Sequence, residues 1–535
     1  MKLPFLRDVR RDIVAFAIAL VALTILLVLL STGGVLFSRP LWADEIQTMM
    51  AASHASPLQV IADLLYPVDH GPPLLHLVVW GAGRIGLDSP VMLRAMALGC
   101  VLAALVIVYA VLRHVFRQEA SAAGALAVGA HSLVIAQAFE ARYYGWWLLF
   151  CALFAWCLGD RKPGASRRRR DVRLGIVAVL LCLTHWYGVI TLGLMSAGVL
   201  LSYGRRWREA MRELTPALAG IIAFIACVPL GVRQRASVSI PSWVPDLSTR
   251  QLAATADIFW TAMVPALAVV VLVVASTFGA RRDGAYTFGE IAGNTTREPS
   301  LMALAALALL PLALAVLSLM GQSSVFPRYA IPAALAWAPL VGLALETAGR
   351  WTTRAFVALL VALWIVNFVR LSQHYENFAV RTRQQEAEWR NAQRSGIPVV
   401  FQSMHTLYAV AAHDWPRRSP ANFLELSDST FAQLFPAGVV YQVNKTFIIE
   451  RDIARLHARR FGFPTLVQKP ALDATARFLL LLDETEFPRG YSPEAFARAV
   501  FPHHQSRQVS SSLWLFQRVD GARAAGAMDG KGGEH

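Results

Sequence analysis

Hydrophobic and polar positions in this chain alternate on the scale of whole membrane spans. Long apolar runs such as Ile13–Leu30, Val101–Leu112, Leu301–Met320 and Phe356–Phe368 are separated by short polar loops. A run of about 20 apolar residues crosses the hydrocarbon core of a bilayer. The pattern predicts about eleven spans, at 12–32, 91–112, 121–139, 143–159, 172–187, 189–203, 214–232, 255–278, 300–320, 328–346 and 352–370. Pro72–Ile85 is apolar but short, and reads as a helix lying at the interface. Within the first long loop, 33–72, Ile46–Ser53 and Pro57–Leu65 read as short helices. Beyond residue 370 the pattern changes. Pro398–Phe401, Val439–Gln442 and Arg477–Leu481 read as strands, and Asp452–Arg460 and Pro493–Val500 as amphipathic helices. The predicted architecture is a polytopic α-helical membrane domain over 1–370 and an extramembrane α/β domain over 371–520. A tail at 521–535, rich in Ala and Gly, is predicted to be disordered.

Composition agrees. Mean hydropathy is +0.46. The charged fraction is 16%, against about 25% in soluble domains. The net charge of +15 does not signal nucleic-acid binding. The basic residues cluster in short loops, as Arg161-Lys162 with Arg167–Arg170, Arg205-Arg206-Arg208 and Arg281-Arg282. Lys2, Arg7, Arg10 and Arg11 precede the first run, which is too long for a signal peptide and is read as an uncleaved span. With the N-terminus inside, the loops at 113–120, 160–171, 204–213, 279–299 and 347–351 all fall inside, and each carries Arg or Lys. The outer regions are then 33–72, 233–254 with its Pro241-Ser242-Trp243-Val244-Pro245-Asp246, and everything after 370. The five cysteines lie in predicted spans and offer neither a disulfide framework nor a metal signature.

Several chemistry-bearing residues fall on the outer side. Asp44 and Glu45 follow Trp42 at the start of a predicted helix, where the macrodipole alone favours acids. The functional reading is that Asp44 is a general base toward a hydroxyl, with Glu45 beside it. Asp69-His70-Gly71-Pro72-Pro73 forms a rigid turn. Asp69 could serve there as a second catalytic carboxylate or as a simple helix cap, and His70 could reach the same cavity. Arg94 and Arg142, the latter in Glu140-Ala141-Arg142-Tyr143-Tyr144, stand at span ends where a charge needs a partner or a ligand such as a lipid phosphate. His185, in Thr184-His185-Trp186-Tyr187, is a candidate for phosphate or a metal. Arg328, in Pro327-Arg328-Tyr329, is the leading candidate to offset the charge of a leaving phosphate. A flippase or transporter of a lipid-linked sugar is the alternative, but it would place polar groups at mid-membrane depth, where these spans are apolar.

The chain resembles the GT-C superfamily of polytopic glycosyltransferases, near protein O-mannosyltransferases and the aminoarabinose transferase of lipid A. The resemblance rests on Leu41-Trp42-Ala43-Asp44-Glu45, on His70-Gly71-Pro72-Pro73-Leu74-Leu75, and on Arg94 after Gly86-x-x-Ser89-Pro90. It also rests on Ala141-Arg142-Tyr143 and Arg328-Tyr329-Ala330-Ile331-Pro332, the whole spread over residues 10–370. It implies a polyprenyl-phosphate-sugar donor and transfer with inversion to a lipid, glycan or protein acceptor. The reaction would occur on the periplasmic face of a bacterial inner membrane. It also implies that Asp44 is the catalytic aspartate, Glu45 its acidic neighbour, and Arg328 the positive group near the donor phosphate. Arg142, His185 and Arg94 join Arg328 as phosphate candidates, with His70, Tyr143 and Tyr329 as further site residues. The resemblance requires no cofactor and leaves room for a divalent cation, for which the sequence offers no ligand set. The family's His-Pro-Pro is here His70-Gly71-Pro72-Pro73, one residue longer, and the C-terminal region carries none of its motifs.

Overall fold

The computed structural model describes the chain except for residues 1–2, 32–33, 66–68, 160–165, 237–292, 294, 322–323, 347, 413–419, 426–453, 456, 482–495, 497–498, 511 and 520–535. The predicted span at 255–278, most of the outer region at 233–254, the strand at 439–442 and the tail at 521–535 therefore lie outside the described residues. So do Arg161-Lys162 and Arg281-Arg282, and parts of the helices predicted at 452–460 and 493–500.

The N-terminal part is a helical bundle. It begins with α1 (Leu3–Leu30), followed by the short helices α2 (Val35–Ser38), α3 (Ala43–Ala52), α4 (Pro57–Leu64) and α5 (Leu74–Arg84). These four account for the first loop and the interfacial segment. α5, at 11 residues, is only about 16 Å long and too short to span. Then come α6 (Pro90–Leu112), α7 (Gln118–Gly129), α8 (Ser132–Ala138), α9 (Tyr144–Gly159), α10 (Arg167–Thr184), α11 (Gly188–Tyr203), α12 (Trp207–Leu214) and α13 (Leu218–Ala236). After the undescribed stretch follow α14 (Pro299–Ala306), α15 (Leu310–Leu319), a 3-10 segment Pro327–Ala336, α16 (Trp337–Glu346) and α17 (Arg350–Arg394). Among the described residues, six helical stretches are long and apolar enough to cross a membrane, or seven if one bent pair counts as one span. The polytopic bundle is as expected, with fewer spans among the described residues than the eleven predicted for the whole chain. The predicted spans 189–203 and 214–232 are the separate helices α11 and α13, parted at Gly204 (φ +53°) and by the short α12, α9 has 16 residues, and the span predicted at 255–278 lies outside the described residues.

The bent pair is α7 and α8, turned by 68° at Ala130-His131. The break is satisfied locally: His131 Nδ1 accepts the Leu133 N–H, and Asn367 donates to the freed carbonyl of Ala130 at 2.8 Å. Non-helical backbone inside a membrane domain needs such partners. α9 lies against α6 at Gly145, where a Cβ would come within 2.6 Å of the Ala97 carbonyl oxygen. That close approach fixes the start of α9, and with it the loop 139–143.

The bundle has two chemically distinct ends. Arg94 lies in the first turns of α6, whereas Arg113 follows its last residue and pairs with Asp12 at 2.9 Å. Likewise α10 begins with four arginines, one of them 3.5 Å from Glu213, and ends at His185.

α17 runs for 45 residues, about 68 Å at 1.5 Å per residue, from the bundle into the C-terminal region. There it packs on a six-stranded sheet of order β3-β2-β1-β4-β6-β5. The strands are β1 (Val399–Phe401), β2 (Asn422–Glu425), β3 (Thr465–Gln468), β4 (Arg477–Leu481), β5 (His504–Gln508) and β6 (Leu513–Arg518). β3, β2, β1 and β4 are parallel, and β6 runs antiparallel between β4 and β5. Alternation splits the sheet into two faces. Phe401 turns to Trp389 of α17, with ring centroids 5.6 Å apart. Val400, Phe478, Leu480 and Phe516 build a second core on the other face with Phe496 and Phe501. The domain also touches the first loop: Arg460 donates to Asp63 at 2.5 Å, and the Trp42 ring lies 5.0 Å from that of Phe378.

Candidate active site

Asp44 and Glu45 sit side by side at the start of α3, and the helix turns them to different surroundings. Asp44 is partly exposed, its side chain 21% accessible, and its Oδ2 lies 3.0 Å from Nη1 of Arg328. Burial alone would raise its pKa. Arg328 and then Arg142 outweigh that, and the carboxyl is held below its usual value. It is a carboxylate at neutral pH.

Glu45 has no exposure. Its oxygens accept the Trp42 N–H at 2.9 Å and the Ala141 N–H at 2.8 Å. Arg39 donates to it at 3.1 Å, and Arg94 at 2.7 and 3.0 Å. Burial pushes Glu45 up, but Arg39 and Arg94 hold it well below the carboxylate range. Expected beside Asp44 in the chemistry, Glu45 is instead the knot tying the first loop, α6 and the 139–143 loop together. Arg94, expected at a phosphate, is its clasp. Besides Glu45 it donates to the carbonyls of Phe37, Arg39 and Pro40. Those bonds engage all five of its N–H groups, which leaves none for a ligand.

Asp69 is also buried. It accepts from Arg142 at 2.7 Å, Thr48 at 2.6 Å and His76 at 3.0 Å. Burial would raise it, but Arg142 and then His76 depress it. With those contacts Asp69 is placed to hold Arg142 rather than to accept a substrate proton. Arg142 in turn donates to the Asp44 carbonyl at 2.8 Å, so it braces the backbone that carries Asp44. Its guanidinium lies over the Tyr143 ring at 4.7 Å.

His185 closes the site from the end of α10. Its ring stacks on Trp147 at 4.3 Å and lies near Tyr143 at 4.7 Å and Tyr329 at 5.4 Å. Its Nδ1 accepts the Tyr187 N–H at 3.1 Å, which leaves Nε2 to carry the proton of the neutral ring. Buried polar atoms without a hydrogen-bond partner gather here: His70 Nε2, Tyr144 Oη, Arg142 Nε and Trp147 Nε1. His70 lies within electrostatic reach of Asp69, Arg142 and Asp44, and Tyr144 within that of Arg328. Unpartnered buried polar atoms are uncommon, and several around one carboxylate–arginine pair mark a place prepared for a polar ligand. Among the described residues no group of three His, Cys, Asp or Glu could hold a metal ion.

All the candidate residues thus fall at one end of the bundle, in two layers. Asp44, Arg328, His70, Tyr143, His185 and Tyr329 line the site; Glu45, Arg94, Asp69 and Arg142 support it. The sequence reading missed Tyr144, Thr48 and His76. His76 left a signal, being a lone polar residue in the apolar run Leu74–Gly81 and so in need of a partner.

No family model matches the chain, and no curated protein matches it. Among solved structures the chain is similar to ArnT from Cupriavidus metallidurans bound to undecaprenyl phosphate. Identity is 15%, 95% of this chain and 98% of that one are covered, and the TM-score is 0.56. The apo state of that protein gives 14% identity, the same coverage and a TM-score of 0.57. The two share a fold. The likeness spans nearly the whole of ArnT, and so covers both the helical bundle and the C-terminal sheet region. The likeness is one of architecture, a polytopic helical bundle followed by a C-terminal sheet region.

Proposed function

We propose that this chain is an inverting glycosyltransferase. It moves a sugar from a polyprenyl-phosphate carrier to an acceptor on the periplasmic face of a bacterial inner membrane. The observation that carries the reading is the Asp44–Arg328 pair at 3.0 Å, set among unpartnered polar atoms at one end of a membrane bundle. A base for a hydroxyl and a cation for a phosphate are the two groups such a transfer needs. The undecaprenyl phosphate bound to ArnT, whose fold this chain shares, supports a polyprenyl-phosphate ligand here.

In this mechanism the donor phosphate enters beside Arg328 and draws its guanidinium from Asp44. His70 Nε2 and Tyr144 Oη supply further donors to the phosphate oxygens, and His185 contributes its Nε2 proton. Asp44, released from Arg328, takes the proton of the acceptor hydroxyl. That oxygen attacks the anomeric carbon opposite the phosphate, the bond to the phosphate oxygen breaks, and polyprenyl phosphate leaves with both electrons. Phosphate is a good leaving group, so the reaction needs less general-acid help than glycoside hydrolysis. Tyr143 and Tyr329 frame the pocket, while Glu45, Arg94, Asp69 and Arg142 position it. No cofactor is required. Partners are the lipid-linked sugar, the surrounding lipids and a lipid, glycan or protein acceptor.

The test is transfer from a panel of radiolabelled polyprenyl-phosphate sugars into membranes, with wild type and Asp44→Asn compared. Label transferred by wild type alone supports the reading; equal transfer removes Asp44 from the chemistry. One observation favours the transporter alternative, the 68° break between α7 and α8, since broken helices line transport sites. Flipping of a labelled lipid-linked sugar across a vesicle without any transfer would favour it.

A further inference from the structure

The C-terminal sheet has a topological switch point. From β1 the chain proceeds to β2 and β3 on one side, and then returns to β4 on the other side of β1. β1, β2 and β4 are parallel. In open parallel sheets the crevice at the carboxyl ends of the strands flanking such a point is a ligand site. Here that crevice begins at Gln402, the residue after β1, whose N–H donates to the Leu481 carbonyl at the end of β4 at 3.2 Å.

The Gln402 side chain is 3% exposed, and neither its Oε1 nor its Nε2 has a hydrogen-bond partner. A buried amide with all its capacity unused is costly unless a ligand completes it. The next element, the helix Met404–Ala411, packs against α3, which carries Asp44. His405 on that helix lies 6.2 Å, ring to ring, from Trp42. Trp42 is 38% exposed and stands two residues before Asp44. His405 also acts electrostatically on Asp44 itself. Trp42 thus links the helix that follows Gln402 to the backbone that carries Asp44.

We propose that Trp42, Gln402 and His405 form an acceptor subsite that binds a saccharide ring and presents one of its hydroxyls to Asp44. The proposal rests on the glycosyltransferase reading above. The chemistry is specific to a sugar. Its C–H face stacks on an aromatic ring, and vicinal hydroxyls match an amide that both donates and accepts. A peptide acceptor would more naturally add to a sheet edge, and the edges here, β3 and β5, lie at the far sides of the sheet from β1 and β4.

The experiment uses the full chain in nanodiscs, a labelled polyprenyl-phosphate sugar that wild type turns over, and extracted host membranes as acceptor source. Apparent KM is measured separately for donor and acceptor. Gln402→Leu and Trp42→Ala should each raise the acceptor KM about tenfold, the loss of one to two good contacts, while donor KM moves less than about twofold. Trp42→Phe, which keeps an aromatic face, should stay within about threefold of wild type. Trp42 is exposed, so its variants read the site even where the buried Gln402→Leu fails to fold. The labelled product should resist protease and carry the new linkage on a sugar. Unmoved acceptor KM, equal rises in donor and acceptor KM, or label in protease-sensitive material would each overturn the subsite. Absence of turnover by wild type with every donor would instead overturn the transferase reading, and the subsite with it.

Discussion

Asp44 Oδ2 and Arg328 Nη1 lie 3.0 Å apart, one on the first loop and the other at the head of the 3-10 segment before α16. In the proposed mechanism this contact ties the base to the cation that the donor phosphate would claim. Arg328 lowers the pKa of Asp44, so removing it should raise that pKa. The acid limb of the pH–rate profile should therefore move to higher pH in Arg328→Gln. Turnover should also fall by about a hundredfold or more, as when a preorganised charge is removed from a transition state. A profile of kcat/KM against pH for wild type and Arg328→Gln checks both. An unmoved acid limb would separate Arg328 from Asp44 functionally.

Glu45 should matter to stability rather than to the chemical step. Glu45→Gln leaves two buried arginines without a counter-charge, a loss of about 3–5 kcal/mol. The pH dependence has a definite sign. A carboxyl whose folded pKa is depressed contributes fully above its unfolded value, about 4. That contribution shrinks as pH falls below the unfolded value toward the folded one. The stability gap between wild type and Glu45→Gln should thus be constant from about pH 7 to 5 and narrow in stronger acid. Thermal unfolding in detergent across that range would show it; a gap that widens in acid would contradict the assignment.

Much of this was legible before the structure. The apolar runs located the helices, including the short ones of the first loop. The positions of Asp44 and Arg328 marked them as candidates because charge at a span end needs a purpose. The roles of Glu45, Arg94 and Asp69 were not legible, for a physical reason. Sequence tells that a buried charge must be paired but not with which of several charges, and only the register of α3 against α6 gives Glu45 to Arg94. Hydropathy placed α11 and α13 and the turn between them, but it did not show that the turn holds a short helix, α12, nor the 68° bend between α7 and α8 inside the predicted span 121–139. His405 was invisible because the C-terminal region carries no motif, and only the sheet order brings its helix to α3.

Gly145 offers a test of packing alone. A side chain there would meet the Ala97 carbonyl oxygen at 2.6 Å and Val101 at 3.3 Å. Backbone cannot yield as a flexible side chain can, so Gly145→Ala should part α6 from α9 and cost about 1–3 kcal/mol. Gly145 lies at the head of α9, just after the 139–143 loop, so the same variant should also reduce turnover. Neutral stability for Gly145→Ala would mean that the two helices adjust without strain.

His70 carries the last prediction. Burial lowers its pKa, so the ring is a neutral imidazole at pH 7, and its Nε2 lacks a partner in the protein. If that nitrogen meets the donor phosphate, His70→Ala should raise donor KM about tenfold, the worth of one hydrogen bond to a charged group. His70→Gln, whose amide can still donate, should recover part of the loss. Because the ring is already neutral, donor KM in wild type should stay flat between about pH 6.5 and 8. A donor KM that falls toward pH 6 would instead show a protonated His70 at the phosphate, and an unchanged KM in His70→Ala would place its nitrogen away from the donor.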